Sequence, residues 1–232
     1  MHILIFGGNG RTGRLVIAAA LENGHTATAL VRDPSSLPAR KGLTIKQGTP
    51  LNRTDIAASL STPTGAALPD AVIITLNAPR ASDSPFAAPI APPRMMADAA
   101  ANVAAAVRER AGADGAALPR VVTLSAFGVA DSAPNLSWPF RLVLRRTNMV
   151  HQFADHDLVD AETKARKDVP YVLVRPAMLA EGPAAAVKVW GDQGEGAPCF
   201  GKVTRASVAR FLVEVAESET GEWVGRTPVI TN

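Results

Sequence analysis

Short apolar runs alternate with amphipathic stretches along almost the whole chain. Apolar runs predict buried strands at 2–6, 26–31, 71–76, 120–126 and 170–179, with weaker strands at 43–46 and 185–190. Helical periodicity predicts helices at 11–22, 54–60, 95–110, 141–167 with a break near 149–151, and 204–217. This alternation predicts an α/β fold, a doubly wound parallel sheet with helices on both faces.

Irregular segments interrupt the alternation at three places. The segment 77–94 carries five prolines and no periodicity, which is typical of a lid or a binding loop. The segments 127–140 and 191–201 are also irregular, the second being glycine-rich. No repeat or low-complexity linker divides the chain, so we expect one domain over 1–232, with 127–140 and 184–203 contributing the substrate region.

A glycine-rich stretch, GGNGRTG, lies between the first predicted strand and the first predicted helix. Gly7, Gly10 and Gly13 are spaced differently from the GxGxxG fingerprint, so the strand before them and the helix after them carry the interpretation. Backbone without side chains can approach a pyrophosphate, and the helix start offers unpaired N–H groups. The alternative is a tight structural turn. The context favours a dinucleotide site.

Charged residues at the end of the second predicted strand bear on which dinucleotide binds. Arg32 follows the apolar run, and Arg11 lies within the glycine loop. Guanidinium groups bind phosphate in a fork geometry, which favours the 2′-phosphate of NADP. Asp33 is the counter-argument, because a carboxylate facing the ribose would favour NAD. The neighbouring Pro34 indicates that Asp33 turns away, so we expect NADP.

Composition and charge exclude several other classes of protein. The formal charge of +3 is mild, which gives no indication of a nucleic-acid surface. The single Cys199 allows no intramolecular disulfide, and the four histidines show no metal-ligand spacing, so no metal is expected. Neither a signal peptide nor a spanning apolar run is evident. We expect a cytoplasmic monomer or weak homodimer that binds a small-molecule substrate, with no membrane partner.

Four motifs together resemble a known family. They are GGNGRTG after the first strand, VRD after the second, TLSAFG at the fifth and VRPAML at the sixth. The chain resembles the atypical short-chain dehydrogenase/reductases, in particular the NmrA-like NAD(P)H-binding group, which includes biliverdin-IXβ/flavin reductase. The resemblance implies a Rossmann-like fold and an NAD(P)-dependent oxidoreductase, and it covers nearly the whole chain.

The resemblance also implies which residues contact the cofactor. The glycine loop would hold the pyrophosphate and Arg32 the 2′-phosphate. Ser125 would face the nicotinamide side. The complete implied set is Gly7, Asn9, Gly10, Arg11, Thr12, Gly13, Arg32, Leu76, Asn77, Ser125, Pro176 and Met178. One departure is Thr49, which stands where relatives often have an aspartate near the adenine.

The catalytic chemistry is constrained by an absent motif. The main short-chain family uses Tyr-x-x-x-Lys, but the single tyrosine here, Tyr171, lies on a predicted strand with Arg175 four residues later. A strand cannot present the helical pair which that motif needs. Ser125, His156 and Asp157 are the remaining candidates, since a strand-end serine lies where ligands gather and a histidine titrates near neutral pH.

Structural roles remain open for the two catalytic candidates that we favour. Ser125 is alternatively a satisfied strand-end serine, and His156 alternatively a surface or capping residue. We expect an NADPH-dependent reductase of a flavin, quinone, tetrapyrrole, enone or iminium. The alternatives are an NADP(H)-sensing regulator without turnover and a non-redox cyclase or isomerase. The wall of the substrate site is expected to consist of the segment 79–93 together with Trp138, Phe140, Met178, Trp190 and Phe200.

Overall fold

An eight-stranded sheet is the centre of the computed structural model, which describes residues 1–62, 65 and 67–232. The ten strands are β1 His2–Phe6, β2 Thr26–Val31, β3 Leu43–Gln47, β4 Ala71–Ile74, β5 Arg120–Leu124, β6 Tyr171–Pro176, β7 Met178–Ala180, β8 Lys188–Val189, β9 Lys202–Thr204 and β10 Val229–Thr231. The main sheet has the order β3-β2-β1-β4-β5-β6-β10-β8, and only β8 runs antiparallel to its neighbour. Strands β7 and β9 form a separate parallel pair.

Helices cover both faces of this sheet. The six α-helices are α1 Arg11–Glu22, α2 Arg53–Ser59, α3 Met95–Asp114, α4 Trp138–Arg146, α5 Met149–Ala165 and α6 Arg205–Glu217, and short 3₁₀ helices span Pro34–Ser36 and Ala130–Asn135. Helices α1 and α6 pack on one face, and α2, α3 and α5 pack on the other. The predicted doubly wound parallel sheet is confirmed.

Alternation along β1 shows why the sheet needs two helical layers. All five of its residues are buried. Ile3 and Ile5 join the core beneath α1 and α6, whereas Leu4 and Phe6 join the core on the opposite face. Successive strand side chains point to opposite faces, so an uninterrupted apolar strand is stable only when both faces are covered.

The strand order reverses between β1 and β4. Strand β1 pairs with β2 on one side and with β4 on the other, and both pairs are parallel. Ligands of open α/β sheets bind outside the carboxyl ends of the strands at such a switch point. The glycine loop follows β1 directly and therefore lies at this position.

Several element boundaries differ from the sequence-based expectations. The segment 127–140 was predicted to be irregular, yet α4 begins at Trp138, where Pro139 in the first helical turn is well tolerated. Strands β9 and β10 were not predicted, because three-residue strands carry too little periodicity to stand out. In the predicted strand 185–190, only Lys188–Val189 pairs.

No helix in the described part of the chain is both long and apolar enough to cross a membrane.

Candidate functional site

A cleft of about 910 Å³ opens along the carboxyl edge of the main sheet. The ends of β1, β2, β4, β5 and β6 all contribute to its lining, together with parts of the loop 77–94, α5 and β7. Of the predicted site residues, the cleft is lined by Gly7, Asn9, Gly10, Arg11, Thr12, Arg32, Leu76, Asn77, Ser125, His156, Pro176 and Met178.

The predicted site residue Gly13 does not line the cleft. A Cβ built on Gly13 would lie 2.1 Å from the Gly7 carbonyl oxygen and 2.8 Å from the Gly8 Cα. Gly13 is therefore required because α1 packs directly against the loop that precedes it. The structure thus gives Gly13 a packing role beside its predicted contact with the cofactor, which stays a prediction.

Gly7 is required for a second reason. Its φ is +81°, a left-handed conformation, and an added Cβ would lie 2.9 Å from the Thr75 backbone. The Gly7 carbonyl accepts a hydrogen bond from the Gly10 N–H at 2.9 Å, which closes the turn. This turn brings the loop against the end of β4, so that the two segments share one cleft.

The start of α1 can bind an anion. Its first hydrogen bond runs from the Arg14 N–H to the Gly10 carbonyl at 3.0 Å, so the N–H groups of residues 11–13 precede the helical ladder. The first turn holds no acidic residue, and Gly10 provides no capping side chain. The cradle thus fits a pyrophosphate, which would bind these N–H groups and the positive end of the helix dipole.

Three arginines in this region differ in their side-chain contacts. Arg14 donates to the Asn9 carbonyl at 3.0 Å and to the Ser36 carbonyl at 2.7 Å, which ties the glycine loop to the turn after β2. Arg11 forms an exposed ion pair with Asp83 of the loop 77–94, with its Nη2 3.2 Å from Oδ1. Arg32 is exposed and has no side-chain partner among the described residues.

The Asp33 carboxylate turns away from the cleft. It caps the 3₁₀ helix Pro34–Ser36, where its Oδ1 accepts from the Ser35 N–H at 2.9 Å and from the Ser35 hydroxyl at 2.7 Å. Arg32 lines the cleft, whereas Asp33 is not among the lining residues. Asp33 thus acts as an Asx cap of the 3₁₀ helix that begins at the next residue, Pro34.

Two buried polar side chains line the part of the cleft beside β5 and α5. Ser125 follows β5 and is 4% exposed, and His156 on α5 is 5% exposed. The Ser125 Oγ and the His156 Nδ1 have no hydrogen-bond partner among the described residues. A buried polar atom without a partner costs free energy, so both atoms are suited to bind a ligand's polar group. The surface or capping alternative for His156 is thereby excluded.

Burial lowers the pKa of His156 to about 4. We expected a histidine that titrates near neutral pH, and that expectation is corrected, because desolvation disfavours the imidazolium. At neutral pH the ring is uncharged and has one donor and one acceptor nitrogen.

This pKa predicts a pH-dependent stability. Because the folded pKa is depressed below the ordinary value near 6.5, the stabilisation from the neutral His156 ring is complete above pH 6.5. It is lost as the pH falls toward 4, and the resulting loss in the free energy of unfolding reaches about 3 kcal/mol. Burial also lowers the pKa of His2, which acts with the same sign. We expect His156→Gln to reduce this acid loss, measured by urea unfolding at several pH values.

The control for this measurement is His151→Gln, which alters an exposed histidine of the same helix. It should leave the pH profile of the wild type unchanged. Equal acid losses in His156→Gln and in the wild type would contradict the assignment.

Helix α5 is held in place by buried carboxylates on either side of His156. The Asp155 carboxylate accepts from the N–H groups of Met96 and Ala97 at 2.9 and 3.0 Å, and so caps α3. Asp160 pairs with Arg175, which is fully buried on β6. These contacts fix the helix that carries His156 relative to two other elements.

Asp157, the third catalytic candidate, is not among the residues that line the cleft. Its Oδ1 accepts from the Ala130 N–H at 2.7 Å, and partial burial raises the pKa of its carboxyl. Ala130 has a φ of +46°, so this hydrogen bond stabilises an unfavourable backbone conformation at the start of a 3₁₀ helix. The geometry gives Asp157 a structural role.

The apolar wall of the cleft differs in part from the predicted one. Pro79, Ile90, Phe140 and Met178 line it as expected, joined by Phe127, Leu136, Met149 and Phe153. Trp138, Trp190 and Phe200 are not lining residues. Trp138 and Phe200 are 70% and 63% exposed, while Trp190 donates to the Thr231 hydroxyl at 2.9 Å.

Gln152 lines the cleft but was not predicted, and Arg80 lines it within the predicted wall segment 79–93. Gln152 precedes His156 by four residues on α5, so helical spacing from His156 could have indicated it. Arg80 lies in the loop 77–94, where no periodicity reveals a side chain's direction. Its Nη1 is buried without a partner among the described residues.

Comparisons with known proteins agree with this fold. A family model described as NAD(P)H-binding matches residues 7–219. Among curated proteins, the chain is 24% identical to Reductase pytE of Aspergillus terreus, and the match covers 99% of this chain and 97% of that protein.

Two solved structures illustrate the shared fold. ChuY, an anaerobillin reductase from Escherichia coli O157:H7, is 20% identical with a TM-score of 0.70, covering 100% of this chain and 97% of that one. A short-chain dehydrogenase/reductase from Veillonella parvula in complex with NADP is 11% identical with a TM-score of 0.77, covering 100% and 94%.

Proposed function

This chain belongs to the NAD(P)H-binding family, and we propose that it is an NADPH-dependent reductase of a small planar or hydrophobic molecule. The proposed acceptors are of the flavin, quinone, tetrapyrrole, enone or iminium type. One observation carries the proposal: the cleft lined by the nucleotide loop is also lined by Ser125 and His156, whose buried Oγ and Nδ1 atoms have no hydrogen-bond partner among the described residues. The reductase names of pytE and ChuY support redox activity.

The cofactor would lie along the lining residues at the carboxyl edge of the sheet. The α1 start would bind its pyrophosphate, and Leu76, Asn77, Pro176 and Met178 would flank its nicotinamide half. When bound, the reduced nicotinamide supplies a hydride. The protein's own contribution is then to bind and orient the acceptor in the apolar part of the cleft.

Ser125 and His156 would orient the acceptor's polar atom. The Ser125 hydroxyl can donate a hydrogen bond to a carbonyl oxygen or an imine nitrogen, which gains electron density as the acceptor is reduced. The neutral His156 ring offers either a donor or an acceptor at Nδ1, according to its tautomer. Because its pKa is about 4, His156 would hold a hydrogen bond at neutral pH, and the proton would come from water.

No tyrosine is proposed to take part in this chemistry. Tyr171 begins β6 and is absent from the described residues that line the cleft. Arg175, four residues later, is fully buried in its pairing with Asp160 and Asp131. These positions support reduction without a tyrosine–lysine pair.

The test is NADPH oxidation against a panel of flavins, quinones, tetrapyrroles and enones. We expect turnover of at least one acceptor and a loss of about 100-fold in kcat/KM for Ser125→Ala, since one preorganised hydrogen bond is removed. The control is Ser218→Ala, at a half-buried serine that does not line the cleft, and it should match the wild type.

Two outcomes would contradict the proposal. Tight NADPH binding without oxidation by any acceptor would indicate a sensor. Conversion of a substrate without any change in NADPH would indicate a cyclase or an isomerase.

NADP as the cofactor is part of the same proposal. Arg32 lines the cleft without a side-chain partner among the described residues, and the Asp33 carboxylate is engaged by Ser35. We expect Arg32→Ala to weaken NADPH binding by about 10- to 100-fold, since it removes charge-assisted hydrogen bonds, and to change NADH binding little. Fluorescence titration of both nucleotides measures this.

Arg40→Ala is the matched control for the Arg32 variant. Arg40 is exposed in the same β2–β3 connection but does not line the cleft, so both affinities should stay at the wild-type values. Equal losses for NADPH and NADH in Arg32→Ala would show that Arg32 does not meet the 2′-phosphate.

A further inference from the structure

The outer face of α4 combines exposed apolar and basic side chains. It consists of Trp138, Arg141, Leu142, Val143, Arg145 and Arg146, and we call it the α4 face. Trp138, Leu142 and Val143 are 70%, 46% and 44% exposed. The three arginines are also exposed, and their side chains form no hydrogen bond or ion pair with any residue that the structure describes.

Helical geometry places Trp138, Leu142 and the three arginines on one side, with Val143 at its margin. Trp138 and Leu142 are four residues apart and lie one above the other. Arg141 and Arg145 flank that line on one side, and Arg146 flanks it on the other. Leu144, on the opposite side, is the buried residue that anchors the helix to the protein.

The charged side chains along this stretch of the chain are all positive. No acidic residue occurs between Asp131 and Asp155 in the sequence, whereas three arginines fall in that interval. Elsewhere on the surface, exposed arginines form ion pairs with carboxylates, as Arg53 does with Glu109 and Arg108 with Asp168. The α4 face therefore presents uncompensated positive charge.

We propose that the α4 face binds the surface of an anionic lipid bilayer. Tryptophan and aliphatic side chains enter the boundary between headgroups and acyl chains, and arginines beside them contact lipid phosphates. This is a surface contact of a helix that lies along the membrane. It departs from the expectation of no membrane partner, which rested on the absence of a spanning apolar run in the sequence.

A second copy of the chain fits this surface poorly. In a two-fold symmetric contact each α4 face would meet its own equivalent, which would bring six arginines together without a carboxylate. Like charges at close range oppose such a contact. An anionic lipid surface complements both the apolar and the basic members of the face.

The position of α4 gives the contact a consequence for the cleft. Phe140 of this helix lines the cleft, as do Leu136 before it and Met149 after it. A membrane-bound α4 would hold the apolar wall of the cleft next to the bilayer. The lipid contact itself is independent of the proposed reductase activity, because it needs neither cofactor nor turnover.

Vesicle flotation tests the proposal. The full-length protein is mixed with vesicles of phosphatidylcholine alone, or with about one third phosphatidylglycerol added. We expect binding to the anionic vesicles only, weakened by salt, because each arginine near such a surface contributes a few-fold to partitioning. Trp138 fluorescence should shift to shorter wavelength on binding, and this shift should be lost in Trp138→Ser.

The decisive variant is the triple Arg141→Gln, Arg145→Gln and Arg146→Gln. We expect its partitioning to fall on the order of 100-fold. The control removes equal charge at exposed residues elsewhere, by Arg40→Gln, Lys41→Gln and Arg210→Gln, and should lose only a few-fold. Thermal unfolding and NADPH binding of both triples verify that the fold is intact.

Three results would overturn the proposal. The first is that the wild type binds neither vesicle. The second is that both triple variants lose binding equally, which would indicate unspecific attraction by net charge. The third is concentration-dependent self-association, without vesicle binding, that Trp138→Ser abolishes, which would assign the face to a second copy.

Discussion

A Gly13→Ala variant is expected to lose NAD(P)H binding and to be destabilised by about 3 kcal/mol or more. The new Cβ would lie 2.1 Å from the Gly7 carbonyl oxygen, and both partners are backbone, so no side chain can move aside. Relief requires α1 to shift away from the glycine loop. That shift would displace the N–H groups of residues 11–13 from the cleft edge. Urea unfolding and nucleotide titration measure the two effects.

Gly112→Ala is the matched control, because Gly112 lies on the exposed side of α3 and its added Cβ meets nothing within 4 Å. Alanine favours a helix over glycine, so this variant should be as stable as the wild type or up to about 1 kcal/mol more stable. A Gly13→Ala protein with wild-type nucleotide affinity would refute the packing role assigned to Gly13.

Replacing Arg175 by methionine is expected to destabilise the protein by about 3–5 kcal/mol. Arg175 is fully buried, and its Nη2 pairs with carboxylates of Asp160 and Asp131, at 2.6 Å for Asp131. Its Nη1 donates to the Asp192 carbonyl at 2.8 Å. Methionine preserves most of the volume but leaves the Asp160 carboxylate buried, with Lys164 as its remaining ionic partner at 2.9 Å.

A double variant separates charge from packing in this network. Arg175→Met with Asp160→Leu removes both members of the buried pair, so it should recover part of the stability lost in the single variant. Urea unfolding of the wild type, both single variants and the double variant completes the cycle. A double variant that is no more stable than Arg175→Met would show that lost packing, and not an unpaired carboxylate, causes the effect.

Acid should diminish the effect of the Arg175 variant. Burial raises the pKa of the Asp131 carboxyl, but hydrogen bonds and charge from Arg175 and Lys164 outweigh it and hold the pKa below its ordinary value. The stabilisation from this carboxylate is therefore present above its ordinary pKa and is lost as the pH falls below about 4. The difference between the wild type and Arg175→Met should shrink over that range.

Most of the fold could be predicted from the sequence because its strands are buried on both faces. Runs such as HILIF at 2–6 are apolar without interruption, and β1 spans the same residues. The predicted β2 and the predicted helix 11–22 also match the observed elements. The predicted family is confirmed at the level of NAD(P)H binding, over residues 7–219.

Short elements could not be predicted for a physical reason. Strand β10 has three residues, and it forms because β6 offers a parallel edge and β8 an antiparallel one. Its pairing, and not its own pattern, makes it a strand. The same holds for β9, which exists only in its contact with β7.

For the candidate site, residue order alone indicated which segments meet at the switch point. Because the carboxyl ends of parallel strands share one edge, the sequence predicted that Gly7, residues 9–12, Arg32, Asn77 and Ser125 border one cleft, and they do. Local sequence also indicated the turn of Asp33, since Pro34 favours a cap there.

Burial and electrostatics at the site depended on contacts between distant residues. Whether His156 titrates near neutral pH depends on how completely other elements exclude water from it, and that burial lowers its pKa to about 4. Likewise, Gly13 is required by the backbone of Gly7, which only the folded turn brings against α1.

The sequence by itself therefore determined the order of the longer strands and helices, the position of the nucleotide loop and the absence of a tyrosine–lysine motif, because periodicity, glycine spacing and residue identity are local properties. Only the tertiary structure decided that His156 is buried and uncharged, that Asp157 and three predicted wall aromatics lie outside the cleft, and that α4 exposes an apolar, basic face. These properties arise from packing between segments far apart in the chain, which no local pattern encodes.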